Sequence, residues 1–206
     1  MKMDRTDYTE DFKNSIQLHG HACIGLAVGY VAAMTAMERL GLQRAQDEEL
    51  VAIAECDACG VDAIQAVLGC TLGKGNLIYR DHGKNVFTVI DRRKNDAIRI
   101  ALNIDLFART DEQQALMKKV INGRANETER ESFWRAQEEK IDAFLAAPPE
   151  KAFSITRITP EVPGHARLFT SLLCESCGEQ VMEPRVRLRD EKRVCIPCSE
   201  NYGRGW

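Results

Sequence analysis

Residues 50–68 read LVAIAECDACGVDAIQAVL, and this stretch decides the fold class of the chain. The run Leu50–Ala54 is short, apolar and typical of a buried strand. From Gly60 to Leu68 the apolar residues recur with helical spacing, and a glycine follows as a stop signal. A strand that leads closely into a helix, with Cys56-Asp-Ala-Cys59 at the junction, predicts a domain in which helices pack on a sheet.

The segments on either side extend this pattern. Residues 24–40 carry apolar side chains at steps of three or four and end at a glycine, which predicts a helix. Further strands are predicted at residues 76–79, 86–90, 98–104 and 153–158. Residues 110–147 are predicted to be helical, with capping boxes at Thr110–Gln113 and Thr128–Glu131. The expected fold is α+β: a layered core domain with a mixed sheet and helices over residues 1–165, and a small domain over 166–206.

The small C-terminal domain contains two C-x-x-C pairs, Cys174 with Cys177 and Cys195 with Cys198. Two residues between cysteines let both thiolates of a tight turn face one ion, and two such turns complete a tetrahedron. We therefore predict a structural zinc site with four cysteine ligands in a zinc-ribbon or treble-clef-like domain. Acidic and basic side chains are equally numerous between residues 170 and 206. This balance favours a contact surface for another subunit over nucleic-acid binding.

A second concentration of metal-ligand types lies at His19-Gly-His21-Ala-Cys23. On an extended backbone residues 19, 21 and 23 share one face, and on a helix residues 19 and 23 do. Cys23 stands where the helix over 24–40 begins, and the start of a helix lowers the pKa of a thiol. Cys59 is also close to a helix start. A thiolate beside an imidazole is a metal site or a nucleophile pair.

The other cysteines leave alternatives open. From spacing alone, one ion could be shared by any three residues of a larger set: His19, His21, Cys23, Cys56, Cys59 and Cys70. Cys56 and Cys70 could equally be small buried hydrophobes, which is the usual state of a free cysteine. Cys56 and Cys59 also have the spacing of a thiol-redox pair, although the residues after Cys59 differ from a thioredoxin active site.

Composition and charge argue against several classes of protein. The chain has 28 Lys+Arg against 31 Asp+Glu and a net charge of -3, whereas generic binding to nucleic acid needs a basic footprint. The longest stretch without charge or histidine, Ala22–Met37, is shorter than the ~20 residues of a membrane span. Residues 1–14 lack the apolar core of a signal peptide. We expect a soluble, cytoplasmic protein, in which eight cysteines serve metal sites rather than disulfides.

Four stretches of the sequence resemble the FmdE family, which is named for one of the subunits of formylmethanofuran dehydrogenase. They are His19-Gly-His21-Ala-Cys23-Ile-Gly25, Cys59-Gly-Val-Asp62-Ala-Ile-Gln65, Gly69-Cys70-Thr71-Leu-Gly73-Lys74-Gly75-Asn76-Leu77 and Asp81-His82-Gly83-Lys84. The resemblance implies an α+β core, a C-terminal zinc-finger domain, a homodimer and a cleft in which Cys and His bind a second divalent metal, expected to be zinc. Ile24 departs from the family, which has proline there, so the helix start at Cys23 is expected to be less rigid.

By matching position, the resemblance implies thiolate ligands at Cys23 and Cys59, completed by His21 or His19. Further residues would line the cleft or support the ligands: Asp62, Gln65, Thr71, Lys74 and Asn76. The candidate catalytic residues are Cys23, Cys59, Asp62 and Lys74, of which Asp62 would orient a ligand and Lys74 would hold an anionic group. The sequence contains nothing like a molybdopterin site or an iron–sulfur array, so the resemblance carries over the fold and the metal site but not the reaction.

Two function classes remain besides thiol redox. A mixed Cys/His site with an open fourth position would activate water or a substrate thiol, in an enzyme or an accessory metalloprotein. A site with four protein ligands would instead suit a metal sensor, a carrier or a docking module, with the zinc finger as the surface for other protein subunits.

Overall fold

The computed structural model describes residues 8–199 and divides the chain into two compact units, Met1–His165 and Ala166–Trp206. The described part of the first unit has five α-helices: α1 (Glu10–His19), α2 (Ile24–Leu40), α3 (Gly60–Leu68), α4 (Asp111–Ile121) and α5 (Glu127–Ala146). Its strands are β1 (Leu50–Ala54), β2 (Leu77–Tyr79), β3 (Val86–Asp91), β4 (Asp96–Leu102) and β5 (Phe153–Ile158). The predicted α+β fold is confirmed.

The five strands form one mixed sheet in the order β2-β1-β3-β4-β5. β1 pairs in parallel with β2, while β1, β3, β4 and β5 pair antiparallel in succession. Because parallel neighbours need a crossover, the chain leaves β1, forms α3 on one face of the sheet and returns along β2. The carboxyl ends of β1 and β2 therefore lie side by side, next to the start of α3.

The sheet has two apolar faces. Alternate residues of β1 point to opposite sides: Leu50 and Ala52 join the main core with the helices, whereas Val51 and Ile53 belong to a separate cluster on the other face. α2 is buried along nearly its whole length because its sequence is apolar all round. This helix forms the centre of the main core.

Two glycines let α2 and α3 approach each other at backbone distance. A Cβ atom added at Gly29 would lie 2.0 Å from the carbonyl oxygen of Gly60 and 2.4 Å from its Cα. Only a residue without a side chain can occupy such a contact. The close approach brings together the N-terminal ends of the two helices, where Cys23 and Cys59 are the N-cap residues.

Several predicted bounds are confirmed and three features differ. The predicted strand over 98–104 is β4, which begins earlier, at Asp96, because the turn at Asn95 (φ +51°) pairs Asp96 with Asp91. The capping box predicted at Thr128 is wrong, since Asn126 and Glu129 form it and α5 starts earlier. Helix α1 has no counterpart among the predicted elements; it is capped by Thr9 and buries only Phe12 and Ser15.

The described part of the second unit contains two short hairpins. Their strands are β6 (Ser171–Leu173), β7 (Gln180–Met182), β8 (Arg187–Arg189) and β9 (Lys192–Val194). The hairpin formed by β8 and β9 lies between the two C-x-x-C pairs. Among residues 8–199, no helix has the length and apolar character needed to cross a membrane.

Candidate metal centre

His19 and Cys23 meet at the junction of α1 and α2. His19 is the last residue of α1, and Gly20 ends the helix in the left-handed conformation (φ +96°). The chain then turns, so the segment is neither continuously extended nor helical, and Cys23 adopts an extended conformation as the N-cap of α2. The Sγ atom of Cys23 accepts a hydrogen bond from the backbone N–H of Leu26 at 3.3 Å and lies 3.8 Å from His19 Nε2.

Asp62 holds the other side of the His19 ring. Its Oδ2 lies 2.6 Å from His19 Nδ1, and its Oδ1 accepts a hydrogen bond from Gln65 Nε2 at 3.4 Å. A carboxylate on one imidazole nitrogen fixes the tautomer and leaves the other nitrogen as an electron-pair donor. In this arrangement Nε2 is that donor, and it faces the Cys23 sulfur.

Cys59 reaches the same place from α3. Its Sγ lies 3.5 Å from the position of a Cβ built on Gly25, and the Cys23 Sγ lies 3.9 Å from that position. Cys59 has helical backbone angles and makes no side-chain capping bond, and its thiol interacts with the Cys23 thiol. The missing side chain at Gly25 leaves room for both sulfurs.

His21 adds a donor on the solvent side and forms a compact group with His19 and Cys23, which does not include Cys59. Ligand atoms of His19, His21 and Cys23 all lie within 4.8 Å of one another, and the two imidazole rings are 4.6 Å apart. Partial burial, and then electrostatic repulsion from the neighbouring His19, lower the pKa of His21. This direction favours the neutral ring, which is the form of histidine that binds metals.

The electrostatics of Cys23 differ from the sequence prediction. Burial raises the pKa of this thiol to about 11, and the nearby Cys59 thiol acts in the same direction. The hydrogen bond from Leu26 lowers the pKa, as expected at a helix start, but burial outweighs it. A cation at the site would reverse this balance, because metal coordination removes the thiol proton.

A cleft of about 480 Å³ opens beside these residues at the carboxyl ends of β1 and β2. His19, Cys59 and Asp62 are among its lining residues. The rest of the lining is mainly apolar and includes the exposed side chains of Leu72 and Tyr79. The described residues that line it include two carboxylates, those of Asp57 and Asp62, and neither a lysine nor an arginine.

Lys74, in the glycine loop after α3, does not line the cleft as the family resemblance implies. The Lys74 Nζ donates to the carbonyl oxygens of Gln46 and Asp47 at 3.5 and 3.0 Å, and Lys74 is not among the residues that line the cleft. Asn76 is fully buried and its amide donates to the carbonyls of Asp47 and Leu50 while accepting from the N–H of Thr71. These contacts join the loop to the start of β1 and support β2.

Cys56 and Cys70 are buried thiols with separate surroundings. Cys70 is fully buried in the main core, and burial raises its pKa to about 12. Cys56 lines the cleft but points its Sγ to Asn85 Oδ1, at 3.8 Å. Since Cys59 instead lies beside Cys23, the geometry does not favour the Cys56–Cys59 pair as a redox centre.

The four C-terminal thiols converge within the second unit. The ligand atoms of Cys174, Cys177, Cys195 and Cys198 all lie within 4.8 Å of one another. Backbone N–H groups of Cys177 and Cys195 donate to the Cys174 sulfur and lower its pKa to about 6. Such N–H···S bonds stabilise a thiolate, which is the form that binds zinc.

Comparison with protein families gives two matches. Residues 18–154 match FmdE, described as "Molybdenum formylmethanofuran dehydrogenase operon". Residues 167–202 match the "Prokaryotic dksA/traR C4-type zinc finger". The second match covers the four converging cysteines and agrees with a structural zinc site.

Among the matches, a curated relative and a solved structure resemble the chain over most of its length. A "Probable S-adenosyl-L-methionine-binding protein" of Archaeoglobus fulgidus is 32% identical over 203 residues, which cover 92% of this chain and 53% of that protein. The chain thus spans about half the length of this relative. An FmdE-like protein of tungsten formylmethanofuran dehydrogenase type, from Syntrophus aciditrophicus, shares the fold with a TM-score of 0.61, at 18% identity and 96% coverage of both chains. Because the FmdE model matches well over half of the sequence, the chain belongs to the FmdE family.

Proposed function

We propose that the chain binds a divalent metal ion, zinc, where α1, α2 and α3 meet, and that the adjoining cleft receives a small molecule at that metal. The observation that carries the proposal is the contact series from Asp62 through the His19 ring to the Cys23 sulfur, at 2.6 and 3.8 Å. A carboxylate on one ring nitrogen is a common support for a histidine whose other nitrogen binds zinc.

The donor set suits zinc. His19, Cys23 and Cys59 would supply one nitrogen and two sulfurs, a combination that favours zinc over harder cations such as magnesium. We propose that the fourth position is shared between the exposed His21 and a molecule in the cleft. A zinc ion with an exchangeable position supplies Lewis-acid chemistry to a bound water or thiol.

Metal analysis of Cys59→Ser tests this assignment. We expect two zinc ions per parent chain and one per variant, because the four C-terminal thiols keep their own ion. Cys56→Ser is the matched control, since this thiol contacts Asn85 rather than Cys23, and it should retain two ions. Two ions in folded Cys59→Ser, as judged by its helical circular dichroism, would refute the assignment.

A second candidate concerns the ligand of the cleft. The Archaeoglobus relative carries the name of an S-adenosylmethionine-binding protein. The cleft is apolar, contains Asp57 and Asp62 and has no cation among its described lining residues, which suits a molecule with an aromatic base and a positive sulfonium. We propose this molecule as a ligand.

Equilibrium dialysis with labelled S-adenosylmethionine tests the second candidate separately. Asp57→Asn should weaken its binding about tenfold, which is the loss of one partly screened charge interaction, and leave both zinc ions in place. Binding that is equal in parent and variant, or absent from the zinc-loaded parent, would reject this ligand without affecting the metal assignment.

A further inference from the structure

A second cavity, of about 440 Å³, lies at the end of the sheet where β3 begins and β4 ends. It is separate from the cleft of the proposed metal site. Its polar lining consists of Lys84, Asn85 and Arg99, and no carboxylate is among its described lining residues. The loop before β3 and strand β4 therefore place residues with hydrogen-bond donors around one space.

The buried carboxylate of Glu55 fixes the position of the Arg99 guanidinium. Glu55 is 8% exposed, and its Oε1 accepts hydrogen bonds from Arg99 Nε and Nη2 at 3.2 and 2.9 Å. The other carboxylate oxygen of Glu55 lies 3.1 Å from His82 Nδ1. A guanidinium fixed in this way loses little conformational entropy when it binds a ligand.

Three donors in the cavity remain unused. Among residues 8–199, no hydrogen bond or ion pair engages Arg99 Nη1, the Lys84 ammonium or the Asn85 Nδ2 amide. Glu55 compensates the charge of Arg99, whereas the charge of Lys84 has no partner in this part of the chain. The cavity therefore has one excess positive charge at neutral pH.

The remaining walls are apolar. Val86, Leu102 and Phe107 form part of the lining, and 40% of the Phe107 surface is exposed. An aromatic ring exposed beside unpaired donors suits a ligand that has both a flat apolar body and an anionic group.

We propose that this cavity binds a small aromatic monoanion or dianion, an aryl carboxylate or an aryl phosphate, with its oxyanion on Lys84, Arg99 and Asn85 and its ring against Phe107. The site goes beyond the proposed zinc function and does not depend on it. It adjoins the metal cleft through the contact between Cys56, which lines the cleft, and Asn85, which lines the cavity.

Titration of the zinc-loaded full chain with benzoate and phenyl phosphate tests the proposal, with chemical-shift changes of backbone amides as the readout. We expect saturable binding, with shifts confined to the end of the sheet where β3 begins and β4 ends. The probe that binds more tightly identifies the preferred oxyanion. Benzyl alcohol, which lacks the charge, and inorganic phosphate, which lacks the ring, should each bind at least tenfold more weakly. Equal binding of either control compound, or shifts elsewhere only, would overturn the proposal.

Substitutions test whether binding depends on the donors that line the cavity or on the general charge of the protein. Lys84→Met should weaken phenyl phosphate at least tenfold, the loss expected for one charge-assisted hydrogen bond, and it disturbs no internal contact of the described residues. Lys118→Met, an exposed lysine on α4, is the matched control and should bind like the parent. Arg99→Lys preserves charge opposite Glu55 but removes the fork, and it should also weaken binding. Equal affinities in Lys84→Met and parent would contradict the assignment.

Discussion

Replacing Gly29 with alanine should separate α2 from α3 and thereby damage both stability and the proposed zinc site. The added Cβ would lie 2.0 Å from the carbonyl oxygen of Gly60 and 2.4 Å from its Cα, whereas real Cβ contacts stay above 3.0 Å. Both neighbours are backbone atoms that no rotamer change can move. The two helices must therefore shift apart by about 1 Å, in an interior that is packed like a crystal.

The energetic balance follows from two opposing effects. Overpacking a tight core costs about 1–3 kcal/mol, and a backbone clash belongs at the upper end of that range. Alanine gains about 1 kcal/mol over glycine in a helix interior. We expect the free energy of unfolding to fall by about 2 kcal/mol. The shift also exceeds the tolerance of about 0.2 Å on a zinc–ligand distance, so the ion held by Cys23 and Cys59 should be lost.

Urea unfolding followed by helical circular dichroism measures the first effect, because the described α-helices all belong to the first unit. Zinc analysis of the folded protein measures the second effect. Gly73→Ala is the control, since a Cβ at that position would meet no atom within 4 Å. A Gly29→Ala protein with parental stability and two zinc ions would refute the packing argument.

Three further outcomes are expected. Asp62→Asn should lower zinc affinity at the proposed N-terminal site about 10–100-fold, as loss of a supporting carboxylate does elsewhere. A competition assay with a chelator measures this affinity, and a parental value would show that the His19 contact is only structural. Cys70→Ala should cost about 1 kcal/mol of stability through the cavity it leaves but retain both ions, and loss of one ion would make Cys70 a ligand. Burial raises the pKa of Glu55, but hydrogen bonds from its two partners outweigh burial and leave the pKa below 4.5. The ionised carboxylate therefore stabilises the fold above that pH. The difference in free energy of unfolding between parent and Glu55→Gln should shrink as pH falls below 4.5. A difference that grows instead would contradict the expected direction of this pH dependence.

The best-predicted parts of the fold are those with strong local signals. The bounds of α2 and α3 follow from apolar periodicity and from glycines just past each end, Gly41 and Gly69, which are both left-handed in the structure. By contrast, α1 escapes prediction from periodicity because its sequence is polar and its buried face is narrow. Its available signals are Thr9 as a cap, two acids in the first turn and Gly20 after the last residue.

The candidate site is predictable in its residue types but not in its geometry. Spacing indicates His19, Cys23 and Cys59 as candidates, yet it cannot separate them from Cys56 and Cys70. That separation depends on which way each thiol points, which is set by the packing of α3 against α2 and by the partner at Asn85. Tertiary contacts of this kind leave no periodic signal in the sequence.

A different limit applies to Lys74. A lysine between glycines suggests an anion-binding loop, but its ammonium is engaged by two backbone carbonyls across the turn. The sequence around Lys74 does not indicate those acceptors, because Gln46 and Asp47 precede β1 and α3 in the chain whereas Lys74 follows them.

The backbone contact between Gly29 and Gly60 would make occupancy of the proposed zinc site depend on folding of the core. The C-terminal thiols all fall between residues 174 and 198 on adjacent turns, so a short local segment suffices to capture their ion. The other donors arrive from three helices, and they coincide only after the core has closed around those two glycines. Zinc at the C-terminal site would therefore depend on local order alone, whereas zinc at the proposed site would depend on closure of the whole core.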